Sequence, residues 1–219
     1  MSRQLTSGVL GRRKDKFPIL VNTRISGDNS SSDLLRPRIP SEYQNGDIAI
    51  GITRTRNNSV FTDFGQFTEI WQGNGTAVYY HICNEDTDED SLLNVNKISI
   101  SPSNRAANIV YLFRSADVNS ITHNSQSGET PPCVSGIGKA FHLVYLTSAK
   151  SILEINNTPA GYDNLILNRV VDNYDSVIHS SVATAHKEDI TTLECPSEWD
   201  LVDETFTATT SGLITIKGK

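Results

Sequence analysis

The segment Ser135-Gly136-Ile137-Gly138-Lys139 has the Gly-x-Gly-Lys spacing of a loop that cradles phosphate with backbone N–H groups and a lysine. It is incomplete as such a loop, because Cys133 stands where its first glycine belongs and Ala140 where its Ser or Thr belongs. A turn leading into a buried strand accounts for it better. Asp86, Asp88 and Asp90 alternate as the first ligands of a calcium loop do, but Ser91 and Lys97 occupy the positions of its sharp glycine and bidentate glutamate. An acidic, solvated loop is expected there, and it offers a landing place for a basic segment. His81, His123, His142, His179 and His186 form no i, i+2 or i, i+4 pair that would chelate a metal. His81 and His142 lie between apolar neighbours, as hydrogen-bonded core or interface histidines do. No Gly-x-Ser-x-Gly elbow selects a nucleophilic serine, and Glu194, Glu198, Asp200, Asp203 and Glu204 read as a charged approach to a strand rather than as paired acids for sugar hydrolysis. Trp71 and Trp199 have the ring size to stack on a sugar, although burial is the commoner fate of tryptophan. The chain is therefore expected to act without catalysis, with no catalytic residue, cofactor or metal ligand assigned.

The elements that would position such groups belong to a chain of 219 residues, long enough for one large β domain with an extended arm. No apolar run approaches the roughly 18 residues of a membrane span. Arg12, Arg13, Lys14, Asp15 and Lys16 interrupt any leader-like apolar stretch at the N-terminus, so a soluble, non-secreted protein is expected. Cys83, Cys133 and Cys195 form no C-x-x-C, and this sparse, odd set reads as reduced thiols, with one long-range disulfide as the alternative. Charge is unevenly shared. Residues 1–40 carry eight basic against three acidic side chains, a balance of +5, and the rest carries eleven against twenty-two, or −11.

Such asymmetry suits a cationic arm lying on the acidic surface of a neighbouring copy or another partner. Its expected contact residues are Arg12, Arg13, Lys14, Phe17, Ile19, Leu20, Leu34, Leu35, Arg36 and Arg38. Nucleic acid is disfavoured as the partner, because the body continues no basic track and the arm has few aromatic residues to stack bases.

From residue 39 to 71 the chain runs IPSEYQNGDIAIGITRTRNNSVFTDFGQFTEIW. Ile48, Ile50 and Ile52 alternate along one strand, Arg54-Thr55-Arg56-Asn57-Asn58 forms a polar tip, and Val60-Phe61-Thr62-Asp63 returns. A turn at Asp63-Phe64-Gly65 leads to a third strand ending at Trp71, which predicts a three-stranded meander. In the order of Pro40, Gly46-Asp47, Ile48-Ala49-Ile50, Val60-Phe61-Thr62-Asp63, Gly65 and Ile70 the stretch resembles a short structural element of bacteriophage tail-fibre and related virion proteins. The resemblance implies an assembly role in a virion, synthesis in a host cytoplasm, and partners that are other virion proteins and copies of the chain itself. Gly51-Ile52-Thr53 departs from the usual residue after the first strand.

Further strands are expected at 77–83, 97–101, 107–114, 139–147, 151–155, 164–171 and 175–184, with a terminal hairpin over 205–217 turning at Thr210-Ser211-Gly212. The segment 139–147 is the most apolar and is expected at the centre of a sheet. Residues 117–132 read as a long exposed loop, and Lys187 to Leu193 as the one place for a short helix. The fold class that follows is all-β: an antiparallel β-sandwich or barrel-like body (76–219) preceded by an extended basic arm (1–45) and a small β-meander (46–75). A structural virion protein is the reading that results, in a tail, baseplate, fibre attachment or capsid reinforcement. A carbohydrate-binding sandwich for receptor recognition is the alternative, with Trp71, Trp199 or the 117–132 loop at its site.

Overall fold

In the computed structural model, which describes residues 17–149, 154–171, 178–202 and 209–219, the chain is built almost wholly from antiparallel strands. They are β1 (Ile19–Leu35), β2 (Ile48–Thr55), β3 (Val60–Asp63), β4 (Thr68–Gly73), β5 (Thr76–Ile82), β6 (Ile98–Arg114), β7 (Thr122–Ser127), β8 (Val134–Ala149), β9 (Ile155–Asn157), β10 (Asp163–Val171), β11 (Ile178–Glu194), β12 (Asp200–Leu201) and β13 (Thr209–Ile216). One sheet has the order β1-β6-β2-β5-β4, with β3 also paired to β6, and the other has the order β10-β11-β8-β13-β7. β9 and β12 form a separate pair. The all-β sandwich expected from the strand pattern is present.

Period-two alternation explains how the sheets meet. Ile48, Ile50 and Ile52 of β2 and Ile109, Tyr111 and Phe113 of β6 face Phe141, Leu143 and Tyr145 of β8 and Ile214 and Ile216 of β13 in one buried cluster. Removing each such side chain from water contributes roughly 1.5–3 kcal/mol. Both outer faces are covered as well. Ala49, Val110 and Leu112 lie under Leu35, Ile39, Phe61 and Phe67, while Val144, Leu146 and Leu213 lie under Tyr162, Trp199 and Leu201. Strands buried on two faces lose their alternation. That is why 139–147 reads as a continuous apolar run, and β8 does occupy the middle of its sheet.

The edges of the two sheets also approach each other. Asn168 Nδ2 of β10 donates to the carbonyls of Ser26 (2.6 Å) and Asn108 (2.9 Å) in the first sheet, and at the other side the Trp71 ring of β4 lies 5.1 Å from the ring of His123 on β7. The sandwich is thus close to a barrel. Each sheet also contains a glycine facing a tyrosine across strands: Gly51 opposite Tyr79 and Gly212 opposite Tyr145. A Cβ at Gly51 would stand 2.1 Å from Tyr79 Cε2, and one at Gly212 2.3 Å from Tyr145 Cζ, so the ring takes the space a side chain would fill.

Several expectations are corrected. In place of a separate arm, residues 19–35 pair along β6 of the same sheet, because their apolar positions find an uncovered strand edge within the chain. The predicted meander is not one: β2 pairs with β5 and β6, β3 with β6, and β4 with β5, so no two successive strands of 46–75 pair with each other. The chain divides elsewhere, with all strands up to Arg114 in the first sheet and the second sheet beginning at Thr122. β6 runs unbroken from Ile98 to Arg114 and joins the strands expected at 97–101 and 107–114, and β7 forms an edge strand within the expected loop 117–132. β13 runs through Thr210-Ser211-Gly212 without turning, because Gly212 is there to admit Tyr145. The first half of the proposed terminal hairpin lies outside the described residues.

Lys187–Leu193 is part of β11, not a helix. Its polar and apolar residues pair with β8 from His142 to Ser135, and this two-stranded ribbon bends back on itself. Lys187 Nζ and Glu194 Oε1, seven positions apart on one strand, are 2.8 Å apart, whereas in a straight strand their Cα atoms would lie about 23 Å apart, beyond the reach of the two side chains, and on opposite faces. The bend coincides with a register irregularity between Thr191 and Leu193. The end of the ribbon is tied by a Cys133–Cys195 disulfide, which replaces the expected reduced thiols. Spacing along the sequence does not reveal that pairing, because β8 and β11 bring the two cysteines together from 62 residues apart. Cys83 is free and buried.

Candidate functional site

The basic and apolar residues expected to meet a partner are mostly engaged within the chain. Arg12, Arg13 and Lys14 lie outside the described residues. The Phe17 ring lies under Lys139 Nζ at 4.4 Å, Leu20 packs on the inter-sheet core, Leu34 is half-buried, and Leu35 is fully buried in the outer cluster of the first sheet. Ile19 is 57% exposed, and Arg36 and Arg38 are exposed.

The acidic loop does receive a basic segment, and that segment belongs to the same chain. Arg24 Nη2 is 2.7 Å and Arg38 Nε 3.8 Å from Asp90 Oδ1. Ile39 N–H donates to the Glu89 carbonyl at 2.8 Å, and Ser91 Oγ to the Pro37 carbonyl at 2.8 Å. Burial works to raise the Asp88 carboxyl, but donors from Leu93 and Leu92 N–H and Asn96 outweigh it and hold the group below the usual carboxylate range. The loop is thus pinned, and it presents Leu92, Leu93 and Val95 at 66%, 60% and 77% exposure.

His81 is hydrogen-bonded as expected, to the Gln66 carbonyl and Thr87 Oγ1. His142 is buried, but neither ring nitrogen has a hydrogen-bond partner among the described residues. Trp199 is 2% exposed and offers no ring face to a sugar. It does adjoin a cavity of about 560 Å³ lined by Glu129, Glu198, Trp199, Asp200 and Leu201. Trp71 is half-buried on the seam between the sheets.

A second site escaped the sequence reading, which placed Arg54 in a polar tip. Arg54 is the next inward residue after Ile48, Ile50 and Ile52, and it is fully buried between the sheets. There the apolar interior gives way to hydroxyls: Arg54 faces Thr76 in register, Thr76 Oγ1 lies 2.8 Å from Thr147 Oγ1 across the sandwich, and Thr147 Oγ1 donates to the Thr210 carbonyl at 3.2 Å. Arg54 Nη2 donates to Asn58 Oδ1 at 2.8 Å and Nη1 to Thr76 Oγ1 at 3.4 Å. Arg54 Nε, Ser180 Oγ and Thr210 Oγ1 are buried without a hydrogen-bond partner among the described residues. No carboxylate among the described residues pairs with this guanidinium, and burial lowers its pKa to about 10, so it stays charged at neutral pH. The even spacing of 48, 50, 52 and 54 was the signal that could have found it.

No family model, curated protein or solved structure matches this chain.

Proposed function

We propose that this chain is a structural subunit of a phage-like virion, in a tail, baseplate, fibre attachment or capsid reinforcement, working by assembly with copies of itself and other virion proteins. The observation that carries the reading is the pinned loop that presents Leu92, Leu93 and Val95 to solvent. Apolar side chains held outward on an ordered loop suit a subunit contact, since the backbone that carries them is already fixed and less ordering cost remains to be met on binding. The residues that carry the tail-fibre resemblance support it by doing structural work: Gly46 N–H bonds the Cys83 carbonyl at 2.8 Å, and Asp47 holds Arg114 at 2.9 Å. A Leu93→Asp, Val95→Asp double variant keeps the fold and loses association, read as mass in solution.

A carbohydrate-binding role is the second reading. The carboxylate-lined cavity beside Trp199 favours it, through hydrogen bonds from sugar hydroxyls to Glu198 and Asp200 rather than ring stacking. Binding of neutral glycans that Asp200→Asn abolishes would select it over assembly.

A further inference from the structure

We infer that the polar end of the sandwich is a binding site for a compact oxyanion, a carboxylate, sulfate or phosphate group, with Arg54 as its counter-charge. A cavity of about 430 Å³ opens there, lined by Asn58, Asn74, Ser127, Gly128 and Thr209. Arg54 stands one residue behind its wall. Asn58, which accepts from Nη2, is itself exposed, and a Cβ at Gly75, beside Asn74, would stand 2.9 Å from Nη1 and 2.5 Å from Asn58 Cα. Gly75 has φ +69° and Asn74 φ +50°, so the turn brings its backbone against the guanidinium in a conformation few side chains allow.

The chemistry favours an anion for a simple reason. A fully buried guanidinium with two neutral acceptors and, among the described residues, no partner at Nε is costly unless a negative group completes it. A guanidinium and nearby hydroxyls and amides match the oxygens of a carboxylate, sulfate or phosphate. Swinging the exposed Asn58 carboxamide aside opens Nη2 to the cavity, and the Asn58 and Asn74 amides, Ser127 and Thr209 then supply neutral donors at the rim. The unpartnered Thr210 hydroxyl lies on the same inner face as Thr147. No acidic side chain lines this cavity among the described residues, whereas the cavity beside Trp199 is lined by three.

The test uses the full chain and compares its melting temperature and calorimetric binding in sulfate, phosphate, glucuronate and chloride at matched ionic strength. The expected result is a saturable rise in melting temperature with an oxyanion and none with chloride. Arg54→Met should weaken binding at least tenfold. Asn58→Asp supplies an internal carboxylate to Nη2, and it should abolish binding while raising the melting temperature in chloride above that of the parent chain. Response to glucuronate alone assigns an anion carried on a sugar, and response to all three assigns a free oxyanion group. Equal melting temperatures in all four salts would overturn the inference, as would an undiminished oxyanion effect in both variants.

Discussion

Arg24 Nη2 lies 2.7 Å from Asp90 Oδ1 and joins the edge strand of the first sheet to the acidic loop. The uneven charge of the chain is therefore matched in part within the molecule. Because both side chains are about a third exposed, Asp90→Asn should cost less than about 1 kcal/mol, and the loss should shrink in high salt. Arg24→Ala should cost about 1–2 kcal/mol, since it also removes the bond to the Ile39 carbonyl at 2.9 Å. Urea denaturation at low and high salt separates the two effects.

The folded-back ribbon depends on Lys187 and Glu194. Glu194 also accepts from Tyr162 OH at 3.1 Å, and Lys187 Nζ lies 4.9 Å above the Tyr162 ring. Glu194→Gln leaves the ammonium only the longer contact to Asp189 Oδ2 at 3.7 Å and should cost roughly 1.5–3 kcal/mol. Lys187→Met with Glu194→Leu should cost less than that single change, which chemical denaturation of both variants will decide.

Closing a link across 62 residues restricts the unfolded chain, so the Cys133–Cys195 bond should contribute about 4 kcal/mol that reductant removes. Cys83 should react slowly throughout. Burial, with the Asp47 charge, pushes its thiol up to about 12. Thiol titration should find one group in the denatured, unreduced protein and three after reduction.

Acid should weaken the fold between pH 6.5 and about 4. Burial lowers the His123 pKa from 6.5 to about 4, so in that window the unfolded chain takes up a proton that the folded chain refuses. Stability falls as pH drops through the window and levels off below it, by at most about 3 kcal/mol from this residue. Burial lowers His81, His142 and His186 in the same direction. His123→Phe keeps a ring against Trp71 without titrating, and melting temperatures at pH 7.5 and 4.5 should lie closer together in that variant than in the parent chain.

Local signals carried the fold class. Alternation at Ile48, Ile50 and Ile52 and the apolar run at 139–147 report strand and burial directly. Pairing was less legible, because which strands meet depends on closing long loops. The hairpin reading of 48–63 failed when β6 took both β2 and β3. Leu35, expected to anchor an arm on a partner, is buried within its own chain. Arg54 was missed because an arginine beside Asn57 and Asn58 suggests a solvated tip, although period two continues through it. The cysteine pair follows from the pairing of β8 with β11 and the Lys187–Glu194 contact from the bend in that ribbon, and spacing along the sequence announces neither.

Assembly through the loop that carries Leu92, Leu93 and Val95 is tested most directly by mass from light scattering over a range of concentrations. The full chain should appear as a discrete multiple of 24.1 kDa, and the Leu93→Asp, Val95→Asp variant should shift to the single-chain mass with its melting temperature retained. A mass of 24.1 kDa for the full chain at every concentration, unchanged in the variant, would contradict self-assembly.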